Sequence, residues 1–126
     1  MIDGSAPIEF FDEIDSTMLE ARRRAERGDL GPVWLIARHQ SVGRGRRGRA
    51  WMSFDGNLLA TYLFATTRTP AEIALLGFAT GVGISETIEA MGGVGRATLK
   101  WPNDVLIDGA KAAGILIDSG ALGGGG

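Results

Sequence analysis

Val105-Leu106-Ile107-Asp108-Gly109-Ala110-Lys111-Ala112-Ala113-Gly114-Ile115-Leu116-Ile117 sets two apolar runs on either side of Asp-Gly. Asp-Gly tolerates the positive φ angles of a two-residue hairpin turn, so this stretch predicts antiparallel strands over Val105–Ile107 and Ala112–Ile117. Just upstream, Ala97–Trp101 predicts a further strand that leads in through Pro102-Asn103. Thr69-Pro70-Ala71-Glu72 is a capping box with Pro at the first helical position. It predicts a helix running to about Met91, with Ile73, Leu76, Ala79 and Ile84 among its buried positions. Gly77, Gly81 and Gly83 each cost this helix about 1 kcal/mol relative to Ala, and close approach to the sheet is the expected compensation.

Further toward the N-terminus, Leu58–Ala65 is an apolar run interrupted by Thr61 and Tyr62 and reads as a strand. Val33–Arg38 reads as a buried strand, and Ile8–Ile14 as a short aromatic and β-branched one. Thr17 and Glu20 form a capping-box pattern opening a helix that ends near Gly28. Within it Glu20–Arg24 and Arg22–Glu26 are spaced four apart, so its arginines are expected to be solvated. The pattern is an α+β fold: a mixed, largely antiparallel sheet flanked by helices, with no internal repeat and no interdomain linker.

At 126 residues and 13.3 kDa the chain is expected to form one domain at most. A hydrophobic share of 44% with 22% charged residues suits a globular protein. Absence of Cys excludes disulfides, thiolate metal sites and Cys nucleophiles. The first residues lack the basic and apolar regions of a signal peptide, and the uncharged stretch Ile73–Ser85 is too short to span a bilayer. The expected compartment is the cytoplasm, with no membrane partner. A net charge of −2 argues against a dedicated nucleic-acid binder. Glycines crowd the end of the chain, where residues 119–126 read as a flexible segment and the chain as one that ends early.

Against that near-neutral background, Gly43-Arg44-Gly45-Arg46-Arg47-Gly48-Arg49 concentrates four guanidiniums among three glycines, and Trp51 follows. Arg presents a permanently charged planar fork suited to carboxylate and phosphate oxygens. Gly43, Gly45 and Gly48 also satisfy the dinucleotide-binding spacing, but no acidic residue lies between Gly56 and Pro70, so that reading fails. A Gly-Lys-Ser/Thr phosphate loop is absent as well. What remains is an anion-gripping flap or a solvated surface loop, with Trp51 as an aromatic able to cover a ring. A second constellation is Lys100-Trp101-Pro102-Asn103-Asp104. The chain holds 11 Arg and only 2 Lys, and both Lys100 and Lys111 flank the predicted hairpin. The plain alternative is a strand end with a Pro-Asn turn. A third is Asp15-Ser16-Thr17 at a strand-to-helix junction, where an N-cap and a polar ligand contact are compatible readings. His39 is the single histidine, and no metal site is expected from it.

These stretches, with Lys111–Leu116, resemble in order the motifs of the biotin protein ligase catalytic domain, over roughly residues 8–118. The resemblance implies a fold like that of biotin ligases and class II aminoacyl-tRNA synthetases, with residues 1–126 forming the N-terminal part of the catalytic domain. It implies ATP-dependent activation of biotin to biotinyl-5′-AMP, then transfer to a lysine of a biotin carboxyl carrier protein domain. By matching positions, Lys100 and Arg46 would be catalytic. Ser16, Thr17, Gln40, Gly43, Arg44, Gly45, Arg46, Lys100 and Gly114 would bind biotin. Arg44, Arg46, Arg47, Trp51, Asn103 and Lys111 would bind ATP. Mg²⁺ is expected with ATP, without a secure protein ligand. Met18 stands where many relatives carry Asn. No winged-helix segment precedes the motifs, so no DNA-binding domain is expected. The strand Ala112–Ile117 would expose an edge, making the piece alone unstable or a homodimer. Two other functions fit parts of the pattern: a lipoate ligase of the same superfamily, and an Arg/Gly-loop module binding RNA or another polyanion.

Overall fold

The computed structural model describes residues 6–43, 56–92, 97–100 and 104–120. They form two compact units, one built from residues up to Thr67 and the other from Arg68–Ser119. Three of the four strand pairings among the described residues are antiparallel, in agreement with the mixed α+β class expected.

The first unit runs β1 (Ile8–Ile14), α1 (Thr17–Glu26), β2 (Val33–Gln40) and β3 (Leu59–Leu63). β1 and β2 are parallel and joined through α1, whereas β2 and β3 are antiparallel, giving the order β1-β2-β3. Strand alternation turns Val33, Leu35 and Ala37 to one face, where they are buried. Ala21 of α1 packs there with Val33 and Leu35, flanked by Phe11 and Leu63. On β1 Phe10 remains 75% exposed. Trp34 and Tyr62 stand opposite each other across β2 and β3, with ring centroids 4.6 Å apart.

Helix α1 departs from its prediction in two ways. Its N-cap is Ser16, whose side chain accepts from the Leu19 N–H, so Thr17 becomes the first helical residue. Its arginines are not simply solvated. Arg24 is engaged by Glu20 and Glu9, and Arg23 by Glu20 and Asp15. Carboxylates from β1 and from the turn before the helix lie within reach, and helical spacing alone does not reveal them. Gly28 follows the C-cap with φ +86°, the left-handed conformation expected where a helix stops.

The second unit contains α2 (Pro70–Ala90), β4 (Ala97–Lys100), β5 (Asp104–Ile107) and β6 (Ala110–Gly114), with strand order β4-β5-β6. Asp108 (φ +49°) and Gly109 (φ +82°) form the turn, so β6 starts at Ala110 and ends at Gly114, not over Ala112–Ile117. A two-residue turn leaves no room for a longer connection, and Ile107 pairs directly with Ala110. A register shift at Val105/Leu106 then pairs Leu106 with Lys111 and Val105 with Ala113. Within the described sheet β6 pairs with β5 alone.

Thr69 caps α2, its side-chain oxygen accepting the Glu72 N–H at 3.2 Å. The expected close approach to the sheet holds at one of three positions, Gly81 against β4, since Ile117 opposite Gly77 lies past the end of β6. A Cβ on Gly81 would lie 3.3 Å from Leu99 Cδ2, and one on Gly77 would lie 3.4 Å from Ile117 Cδ1, whereas Gly83 faces open space. Ala79 is exposed, contrary to expectation, and Ile73, Leu76 and Ile84 are only half-buried. Gly81 is the buried residue of the helix, where the side chains of Leu99 and Ile115 close over its backbone. The helix also extends well past the uncharged Ile73–Ser85. By length and composition alone its 21 residues could cross a membrane, and the same helix packs on β4 and β5.

Candidate functional site

A buried polar cluster forms in the first unit where α1 begins. Thr17 and Ser16 are 3% and 4% exposed, and burial of hydroxyls at this level requires partners. The Thr17 N–H donates to Gln40 Oε1 at 2.8 Å, and the Thr17 hydroxyl donates to the same oxygen at 3.0 Å. With its proton so used, Thr17 Oγ1 accepts from Thr61 Oγ1 at 2.7 Å. Three elements therefore meet: the first residue of α1, the last of β2 and the middle of β3. β2 runs two residues further than predicted, and that extension carries Gln40 to Thr17. Thr61 was not singled out by sequence as a site residue. Its only signal was a hydroxyl interrupting an apolar strand.

The ladder between β1 and β2 continues past their ends, with Ser41 N–H donating to the Ile14 carbonyl and Val42 N–H to that of Asp15. Those bonds bring the chain into Gly43 beside Asp15-Ser16-Thr17. Next to this point, Glu13, His39, Gln40 and Ser41 line a shallow open depression. The Asp15 carboxylate accepts the Ser16 N–H at 2.6 Å and a two-pronged contact from Arg23 at 2.8 and 3.0 Å. The Arg23 guanidinium holds the Asp15 carboxyl below its ordinary range, against the opposing effect of burial. Glu20 is lowered by its hydrogen bond from Arg24 and, after burial acts against it, by that from Arg23.

In the second unit the strand register collects the other motif. Lys100 pairs with Asp104 across β4 and β5, and Asp104 pairs with Gly114 across β5 and β6, placing the three in one row. Lys111 Nζ lies 3.1 Å from Asp104 Oδ1. That oxygen is buried with no aligned hydrogen-bond donor, so the contact is electrostatic in character. Asp104 thus meets Lys111 as an ion pair, a link the sequence motif did not announce because its partner sits on the next strand. Ser16, Thr17, Gln40 and Gly43 come together in one unit, and Lys100, Lys111 and Gly114 in the other. Arg44, Gly45, Arg46, Arg47, Trp51 and Asn103 lie outside the described residues. Among the described residues no three His, Cys, Asp or Glu gather as a metal site.

A serine-threonine helix start held by a strand-end glutamine, with a separate lysine hairpin, coincides with a match over residues 12–124 to the biotin/lipoate A/B protein ligase family. The chain belongs to that family. It is 40% identical over 110 residues to a biotin–[acetyl-CoA-carboxylase] ligase of Paracoccus denitrificans, covering 86% of this chain and 45% of that protein. Among solved structures it resembles the biotin protein ligase of Aquifex aeolicus in complex with biotin and ATP. That likeness has a TM-score of 0.74 at 31% identity and covers 92% of this chain and 48% of that one. The Leishmania major biotin protein ligase in complex with biotinyl-5-AMP gives a TM-score of 0.73 at 27% identity, over 92% of this chain and 53% of that one. These neighbours bear out the mixed fold of biotin ligase type. The chain spans between about a third and about half the length of the relatives it matches.

Proposed function

We propose that this chain supplies the biotin- and nucleotide-handling part of a biotin protein ligase. In the first step a biotin carboxylate oxygen bonds to the α-phosphorus of ATP as the bond to the β-phosphate oxygen breaks, giving biotinyl-5′-AMP and pyrophosphate. In the second, the amine of a carrier-domain lysine attacks the acyl carbon, AMP leaves, and the nitrogen sheds a proton. The carboxylate is already ionised at neutral pH, so the first step needs no general base. Its barrier is bringing one anion onto another, which at about 4 Å repel by roughly 4 kcal/mol at an effective dielectric of 20. Fixed cations and held geometry offset that repulsion. Lys100, Arg44 and Arg46 are assigned to it, Arg47, Trp51, Asn103 and Lys111 to the nucleotide, and Gly43, Gly45 and Gly114 to close backbone contacts.

The observation that carries the biotin reading is the buried cluster of Ser16, Thr17, Gln40 and Thr61. A cyclic urea presents one carbonyl acceptor and two N–H donors. The Ser16 hydroxyl can donate while its oxygen caps Leu19, and the Thr61 oxygen can accept while its proton serves Thr17. A lipoyl ring has no such donors, which favours biotin over lipoate. Mg²⁺ would arrive with the nucleotide phosphates, since no carboxylate cluster among the described residues suits a dedicated site. The cytoplasm, where ATP and carrier proteins meet, is the compartment we assign.

Biotin-dependent exchange of pyrophosphate into ATP tests this reading in the complete protein. Lys100→Ala should lower the exchange rate by about 10²–10³-fold with the fold intact. Exchange unaffected by biotin would end the reading. Steep salt dependence of RNA binding in its place would favour the polyanion module, and stabilisation by lipoate but not biotin would favour the lipoate ligase.

A further inference from the structure

Arg23 uses every edge of its guanidinium. Nη1 and Nη2 donate to the two Asp15 oxygens at 2.8 and 3.0 Å, while Nε and Nη2 donate to Glu20 Oε1 at 3.1 and 2.9 Å. Glu20 Oε2 in turn accepts from Arg24 Nε at 2.9 Å, and Arg24 forks onto Glu9 of β1. A continuous chain of alternating charges thus runs Glu9–Arg24–Glu20–Arg23–Asp15, from the start of β1 along α1 to the turn where the helix begins. Glu20 anchors both arginines because residues three and four positions apart share a helix face.

The end of that chain falls at a sensitive place. Asp15 Oδ1 receives both Arg23 and the Ser16 N–H, so the carboxylate fixes the peptide that leads into the Ser16 cap. The Asp15 carbonyl accepts the Val42 N–H at 2.8 Å, one residue before the Gly/Arg stretch. One residue therefore sits between the hydroxyl cluster and the root of the cationic segment, and Arg23 sets its orientation from outside both. At 42% and 35% exposure the pair adds little to stability through charge alone, so its geometry matters more than its energy. A planar fork on a carboxylate restricts rotation about two bonds in a way that a point charge does not.

We propose that Arg23 is a positioning residue for the biotin site, clamping Asp15 so that the Ser16–Thr17 turn and the chain entering Gly43 are held ready for the ligand. This rests on the biotin reading above. In the complete protein, Arg23→Gln should raise the KM for biotin roughly tenfold while leaving the KM for ATP unchanged and kcat within about twofold. Arg23→Lys, which keeps charge but not the fork, should recover only part of the loss. In a double-mutant cycle, Asp15→Asn should add nothing to Arg23→Gln. Hydrogen exchange of the Ser16, Thr17 and Leu19 amides supplies a readout that needs no ligand, and all three should exchange faster in Arg23→Gln. Unchanged biotin KM with unchanged exchange would overturn the proposal, as would full recovery by Lys. A wild-type protein indifferent to biotin would sink the biotin reading alone, leaving the exchange of those amides to judge the clamp.

Discussion

The two candidate regions are assembled on different scales of sequence distance. In the first unit, Thr17 is joined to residues 23 and 44 positions away, through Gln40 and Thr61. In the second, Lys100, Asp104 and Gly114 line up through two adjacent strand pairings, and Lys111 reaches Asp104 across one hairpin. The first region buries neutral hydroxyls and so must satisfy each one; the second keeps its lysines wet at strand ends. A polar cluster built from distant parts fixes the direction of each hydroxyl in it. Lys100 on β4 and Lys111 on β6 are exposed side chains on the two strands that flank Asp104. The difference is one of directionality: aligned hydrogen bonds in the first unit, and an unaligned ion pair between Lys111 and Asp104 in the second.

Identical substitutions in the two units break or sharpen that contrast most sharply. Gly31 sits at φ +73°, and a Cβ there would stand 2.3 Å from the Leu63 carbonyl oxygen in β3, where no flexible side chain can give way. Gly31→Ala should destabilise the first unit by at least about 2 kcal/mol in denaturant unfolding. A smaller loss would mean that β3 yields more easily than its pairing suggests. Next in size is Thr17→Val, which keeps the shape but strips a donor from Gln40 and an acceptor from Thr61. We expect a loss of about 1–3 kcal/mol and at least about tenfold weaker biotin binding by calorimetry. Full biotin affinity in that variant would remove the cluster from the binding site.

Acidification should act on the first unit before the second. Glu9, Asp15 and Glu20 are all held below their ordinary values of 4.5, 3.8 and 4.5, chiefly by hydrogen bonds from Arg24, Arg23 and Arg24 respectively. A carboxylate whose value is depressed on folding contributes stability above its unfolded value. That contribution fades as pH falls toward and through the folded one. Helix α1 should therefore loosen below about pH 4.5, readable as earlier loss of amide protection in α1 than in α2; simultaneous loss would refute it. The smallest effect is expected at Gly81→Ala. The helix gains about 1 kcal/mol of propensity, and the new Cβ meets only the ends of Leu99 and Ile115 at 3.3 and 3.6 Å. Net stability should move by less than about 0.5 kcal/mol, and a large loss would show that α2 and β4 cannot separate at all.

Much of this was legible because it is local chemistry. Asp108-Gly109 marked the hairpin, Thr69-Pro70 the start of α2, and Gly28 the stop of α1, each through backbone angles or orphan N–H groups that depend on a few neighbouring residues. The motif order also named Ser16, Thr17, Lys100 and Lys111 as site candidates. Less was legible wherever a partner lay far along the chain. Arg23 and Arg24 read as solvated because helical spacing shows only Glu20, while Asp15 and Glu9 come from outside the helix. Ala79 read as buried from periodicity, yet the contact of α2 with its sheet is centred on Gly81.

By itself, then, the sequence determined the alternation of strands and helices, the turn types and the family, since those follow from short-range sterics and ordered motifs. Only the tertiary structure decided that Thr61 completes the hydroxyl cluster, that Asp104 meets Lys111, and that Arg23 pairs with Asp15. The physical reason is common to all three. Hydrogen bonds and charge contacts are set by distances of a few ångströms, and strand pairing and helix packing create those distances between residues that sequence spacing does not connect.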